Sequence, residues 1–157
     1  MNRWNAARAF STYLDQNPCL YKHRSVLELG AGGGLPGIVT AKNGARKVIG
    51  YGCGQHVQDA LTLVTAQVVL TDYPDADLLE NLRHNIQVNV PDALRDVVDV
   101  EGYIWGQKVS PLLKFLPDPP VRSAKGFDLI ILSDLIFNHA EVCRYALRIC
   151  GAHGQKA

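Results

Sequence analysis

Ser25-Val-Leu-Glu-Leu-Gly-Ala-Gly-Gly-Gly-Leu-Pro-Gly37 is the stretch that sets the fold. Ser25–Gly30 is a short apolar run ending in glycine, which predicts a strand. Gly30–Gly37 is a glycine-rich loop, and Ile38–Asn43, closed by Gly44, predicts a helix. Glycine adopts positive φ without penalty and lets the backbone come close to a ligand. A loop that follows a strand and opens a helix is the context in which such glycines bind something. Gly32-Gly-Gly34-Leu-Pro-Gly37 also fits the GxGxxG dinucleotide pattern, and a plain tight strand-to-helix turn is a third reading.

Outward from this loop, strands and helices alternate. Arg3–Gln16 has Trp4, Ala7, Phe10, Tyr13 and Leu14 at helical spacing, and Asn17-Pro18 stops it. Val68–Asp72 predicts a second strand. Asp75 can cap a helix running to about Asn89, with Leu78, Leu79, Leu82 and Ile86 on one face. Val97–Trp105 predicts a third strand, Val109–Phe115 a short helix, Phe127–Asp134 a buried strand and Glu141–Cys150 a last helix. This alternation predicts an α/β fold, a parallel sheet with helices on both faces. Ligands of such sheets bind beyond the carboxyl ends of the strands, which here are Gly30, Asp72, Trp105 and Asp134.

The composition narrows the class of protein. The chain has 157 residues, 47% hydrophobic and 20% charged, which suits one globular domain and excludes low-complexity disorder. Sixteen Lys+Arg against 15 Asp+Glu leave a net charge of +1, so nucleic acid and anionic membrane are not expected partners. No 18-residue apolar span and no signal-peptide core occur. Cys19, Cys53, Cys143 and Cys150 form no CxxC pair, so neither a metal site nor a disulfide framework is expected, and reduced thiols suit a cytoplasmic location.

Two acids bear on the ligand. Glu28 gives Glu-Leu-Gly-Ala-Gly, an acid-x-Gly-x-Gly arrangement. An anion beside the loop suits a sulfonium or amino acid moiety and repels a pyrophosphate. Asp72 ends the second strand, where it can accept hydrogen bonds from both ribose hydroxyls or serve as a turn acid before Pro74. Together they favour S-adenosylmethionine over NAD, and an NAD(P)-binding oxidoreductase is the rival from another class.

Several ordered motifs carry a more specific resemblance. Trp4-Asn-Ala-Ala7, Val26-Leu-Glu-Leu-Gly-Ala-Gly32 with Gly34-Leu-Pro-Gly37, Thr71-Asp-Tyr-Pro-Asp75, Asn81-Leu-Arg-His-Asn85, Gly102-Tyr-Ile-Trp-Gly106 and Ser133-Asp-Leu-Ile-Phe-Asn-His139 occur in that order. The chain thereby resembles the seven-stranded methyltransferases of the methyltransferase-like 21 type. Within them it resembles the fungal protein N-terminal and lysine N-methyltransferases of elongation factor 1-alpha, over Trp4–Val48 and Val68–Glu141. The resemblance implies a Rossmann-like class I methyltransferase sheet, S-adenosylmethionine as cofactor, and a monomer in the cytoplasm that methylates the N-terminal amine and/or a lysine of that factor. It implies that Trp4 contacts the cofactor, Gly30, Ala31 and Gly32 line its methionine part, Trp105 packs on adenine and Ser133 meets it from the fourth strand. Asp134 and Phe137 fit the family's Asp/Glu-x-x-Tyr/Phe pattern at the methyl-transfer centre. Asp134 would orient the acceptor amine and take its proton, and Phe137 would wall its alkyl chain. Asn138 and His139 follow as supporting polar residues. A small-molecule (nicotinamide-type) amine methyltransferase shares every cofactor residue.

Two departures from the family pattern stand out. Gly30 and Asp72 are 42 residues apart, where the acid of such folds usually follows the loop by about 20. Residues 49–69 are therefore expected to be an insertion before the second strand, either a retained short intron or a genuine loop. Residues 142–157 diverge where the family continues into further strands. The expectation is a single truncated domain over 1–157, without the carboxyl-terminal strands, of marginal stability and weak activity, or an inactive fragment of the fold.

Overall fold

Val26–Leu29 forms the central strand β1, and all four residues are buried. A strand covered on both faces needs this near-continuous apolar run, interrupted here only by Glu28. In a computed structural model the described residues are 5–44, 47–49, 63–65, 67–116 and 126–133. Helix α1 (Asn5–Gln16) precedes β1, and α2 (Leu35–Lys42) follows it. A short antiparallel pair comes next, β2 (Lys47–Ile49) with β3 (Leu63–Thr65), and then β4 (Val68–Asp72). The chain continues through α3 (Ala76–Asn89), α4 (Asp92–Arg95), β5 (Val98–Gly102), α5 (Ser110–Leu113) and β6 (Leu129–Ile131).

The main sheet has the order β5-β4-β1-β6, parallel throughout. Val26 is level with Val68 and Leu129, and Asp72 with Gly102, so the carboxyl ends of β1, β4 and β5 lie along one edge. Strand alternation sorts the core into two layers. Val26, Val68, Leu70 and Ile131 pack with Leu14 of α1, Ile38 and Ala41 of α2, and Leu82 and Ile86 of α3. Leu27, Leu29 and Val69 face the other way, against Tyr103, Leu112, Leu116 and Phe127. The parallel α/β sheet is thus the one expected from the alternation of elements, and its Rossmann-like form the one the resemblance implies.

Individual elements differ at their ends. Helix α2 starts at Leu35, three residues before the expected Ile38, with Pro36 in its first turn, where a missing N–H breaks no helical bond. The third strand, expected to reach Trp105, ends at Gly102, and Gly106 turns the chain at φ +89°. The fourth, expected over Phe127–Asp134, is ladder-paired only over Leu129–Ile131. Before it, Asp128 Oδ2 accepts from the Ser25 amide (2.9 Å) and hydroxyl (2.8 Å), lashing the start of β6 to the start of β1. The expected last helix, Glu141–Cys150, lies outside the described residues.

The segment 49–69 overlaps β4. Val68 and Val69 pair with Val26 and Leu27 and are wholly buried. Val68 and Val69 therefore belong to the main sheet, whereas β2 and β3 pair only with each other among the described residues. After α2 the Gly44 carbonyl accepts from the His23 amide (2.9 Å), and just before β4 the Gln67 carbonyl accepts from the Val26 amide (2.9 Å). Among the described residues no helix is long and apolar enough to cross a membrane.

Candidate cofactor site

Beyond β1 the backbone takes positive φ at every second residue, Gly30 (+62°), Gly32 (+55°) and Gly34 (+73°). An L side chain is strained in this region, which accounts for glycine at these three positions. The turn is tied to its neighbours as it forms. The Ala31 amide donates to the Thr71 carbonyl (2.8 Å), extending the β1–β4 ladder into the loop, and the Gly34 amide donates back to the Ala31 carbonyl (2.8 Å).

Asp72 closes the loop from the end of β4. Its Oδ2 accepts from the Gly32 amide (2.7 Å) and its Oδ1 from the Tyr73 amide (2.7 Å). A carboxylate offers about four lone-pair sites, so two remain for further donors such as ribose hydroxyls. The side chain is half-buried, not sealed. The alternative role of helix cap belongs to Asp75, whose Oδ1 accepts from the Asp77 (3.0 Å) and Leu78 (3.2 Å) amides.

Glu28 stands elsewhere than expected. The sequence suggests a carboxylate beside the ligand, yet the side chain is wholly buried between β1 and α2. Its Oε2 accepts from the Gly37 amide in the first turn of α2 (2.8 Å), and Oε1 has no hydrogen-bond partner. Burial pushes its carboxyl up to about 8, against the lowering pull of the Gly37 amide. Glu28 pins the helix that follows the loop. A Cβ on Gly37 would lie 2.7 Å from that carboxylate and 2.1 Å from Leu70 Cδ2, so β1, β4 and α2 meet at this glycine with no room for a side chain.

Trp105 lies past the end of β5, half-buried against the layer built on Leu27, Leu29 and Val69. Ser133 stands two residues past the carboxyl end of β6, whose last paired residue, Ile131, is level with Glu28 of β1. Its Oγ is buried without a hydrogen-bond partner. A buried hydroxyl is rarely left alone, and one at this edge fits a polar ligand group. The glycine loop, Asp72 and this hydroxyl together fit an adenosyl cofactor carrying an amino acid. Trp4, Asp134 and Phe137 lie outside the described residues.

One contact escaped the sequence. Asn85 of α3 donates from Nδ2 to the Gly33 carbonyl (3.1 Å). Asn85 stands one helical turn after the buried Leu82, a spacing visible in the chain, but its acceptor is 52 residues away in a loop. Among the described residues no cluster of three or more His, Cys, Asp or Glu could hold a metal ion.

A family model described as lysine methyltransferase matches residues 2–146. A protein N-terminal and lysine N-methyltransferase EFM7 from Cryptococcus neoformans is 43% identical over 138 residues, which is 88% of this chain and 38% of that protein. Its namesake from Candida glabrata is 41% identical over 136 residues, 87% of this chain and 43% of that one. The chain thus spans about two-fifths of the length of these curated relatives. An O-methyltransferase from Bacillus cereus, solved with SAH, superposes with a TM-score of 0.52 at 17% identity, over 91% of this chain and 50% of that one.

Proposed function

Because the chain belongs to the lysine methyltransferase family, we propose that it binds S-adenosylmethionine at the carboxyl edge of its sheet for methyl transfer to a protein amine. The acceptor is the N-terminal amine and/or a lysine of elongation factor 1-alpha, a translation factor whose site of action makes the reaction cytoplasmic. The observation that carries this reading is the closure of Asp72 on the Gly32 amide, with acceptor capacity left for a ribose. The names of the relatives, protein N-terminal and lysine N-methyltransferases, support the acceptor class.

When bound, S-adenosylmethionine supplies a methyl group on a sulfonium, open to displacement by a neutral amine. Gly30, Ala31 and Gly32 border its amino acid part, Asp72 holds the ribose, Trp105 supports the adenine and Ser133 donates to or accepts from the ligand. Glu28 acts at one remove, by fixing α2. From the sequence pattern, Trp4 covers the cofactor, Asp134 orients the amine and takes its proton, and Phe137 walls the alkyl chain.

Calorimetric titration with S-adenosylhomocysteine and, separately, NAD tests the cofactor. Saturable binding of the first alone is expected, and binding of NAD alone would overturn the reading. Labelled S-adenosylmethionine offered with elongation factor 1-alpha or with nicotinamide tests the acceptor, with label expected on the protein. Label on nicotinamide alone would make the enzyme a small-molecule methyltransferase.

A further inference from the structure

The motif Asn81-Leu-Arg-His-Asn85 has no part in the cofactor assignments, yet two of its residues, Leu82 and Asn85, meet the glycine loop. Leu82 is wholly buried, and its Cδ2 lies 2.9 Å from where a Cβ on Gly34 would stand. Asn85, on the same helix face, donates to the Gly33 carbonyl.

The hydrogen bonds of the loop form a relay. The carbonyl of Gly33 and the amide of Gly34 belong to one peptide plane. Asn85 holds the carbonyl end and the Ala31 carbonyl holds the amide end. The Ala31 carbonyl and the Gly32 amide belong to a second plane, and its amide end donates to Asp72. Two peptide planes thus link Asn85 to Asp72. Planes flanked by glycines flip easily, because glycine accepts either sign of φ. Flipping the first plane would strip the Ala31 carbonyl of its donor and loosen the second.

We infer that Asn85 is a positioning residue for cofactor binding, locking the Gly33–Gly34 peptide so that the Gly32 amide and Asp72 stay aligned. Its effect on affinity rests on the cofactor reading above, whereas its effect on the loop does not. In Asn85→Ala the loop loses one donor on a half-exposed helix where alanine is a better helix former, so the fold survives. Asn85→Asp keeps the shape but sets a carboxylate against the carbonyl, and regains a donor only when protonated.

Amide exchange of Gly32 and Gly34, followed by NMR without ligand, is expected to quicken about 3- to 10-fold in Asn85→Ala, the range of one net hydrogen bond. Protection, taken against the parent chain at the same pH, is expected to fall further in Asn85→Asp and to recover in that variant as pH is lowered. Asn89→Ala, which removes a bond to the Asn85 carbonyl on the same helix, serves as control and leaves the loop unchanged. Calorimetry with S-adenosylhomocysteine should show weakening in the same order at nearly constant melting temperature. Unchanged exchange in both Asn85 variants would overturn the inference. Faster exchange in a wild-type fold that binds no S-adenosylhomocysteine would leave the lock standing and remove the cofactor reading.

Discussion

The carboxylate of Asp72 takes the Gly32 amide at 2.7 Å across 40 residues of sequence. The same side chain thus shapes the loop and, in the proposed function, keeps lone pairs for the ribose. Asp72→Asn keeps one acceptor oxygen but replaces the other with a donor. Hydrogen bonds to charged groups contribute about 1.5–3 kcal/mol, so S-adenosylhomocysteine affinity should fall by about 10- to 100-fold while unfolding stays cooperative. Calorimetry of the variant beside the parent chain checks this, and equal affinities would remove Asp72 from the site.

Gly37 is a steric position: its helical backbone carries no positive φ, yet Leu70 and Glu28 occupy the space of a Cβ. Gly37→Ala should therefore destabilise by about 1–3 kcal/mol despite the gain in helix propensity. A thermal melt should drop by several degrees, and a rise would mean that β4 and α2 can move apart at this point.

Glu28 makes stability depend on pH in a direction unusual for a carboxylate. Its folded pKa of about 8 lies above the ordinary value of 4.5, so the folded state holds the proton more tightly than the unfolded chain. The stabilisation this gives is complete below the unfolded value and is lost as pH rises through the folded one. Urea unfolding at pH 5, 6.5 and 8 should show a decline across that window, at most about 1.4 kcal/mol per pH unit for one proton. Glu28→Gln keeps an acceptor for the Gly37 amide and should flatten the profile. An unchanged slope in that variant would assign the pH dependence to other groups.

Joining Val48 to Val69 by removing residues 49–68 should preserve the sheet. The shortened strand would read Val48-Val69-Leu70-Thr71-Asp72, with valine again opposite Val26. Gly44 is bonded to His23 and Gln67 to Val26, so the gap is about the span of three residues, or ~10 Å. Ala45-Arg-Lys47 supplies that length. Circular dichroism and a melting temperature no lower than that of the full chain are expected, because a shorter connection costs less closure entropy. An unfolded product would make the excursion part of the fold, and transcript sequence across it tests the intron reading separately.

What could be read from sequence followed the range of the forces involved. Val68–Asp72 was legible to the residue, since a strand buried on both faces and ended by Asp-Tyr-Pro leaves little choice of boundary. Asp75 capping α3 was equally local. The end of β5 was not, because Tyr103 continues the apolar pattern and its amide still reaches the Asp72 carbonyl after the ladder has ended. Of the candidate site, the turn at Gly30 and Gly32 and the strand end at Asp72 were legible, because turn geometry and a strand end leave a signature in single residues. The burial of Glu28 and the reach of Asn85 were not, for each depends on which helix packs over which face of the sheet. An acid flanked by leucines in a buried strand was the clue to the first.

Gly44 and Gln67, the two ends of the connection between α2 and β4, lie at the amino-terminal edge of the sheet, whereas the glycine loop and Asp72 lie at the opposite edge. A strand of five residues separates the two edges by about 15 Å of backbone. Strand polarity thus sets the ends of this connection apart from the glycine loop, and a change in its length could reach Asp72 only through β4 itself.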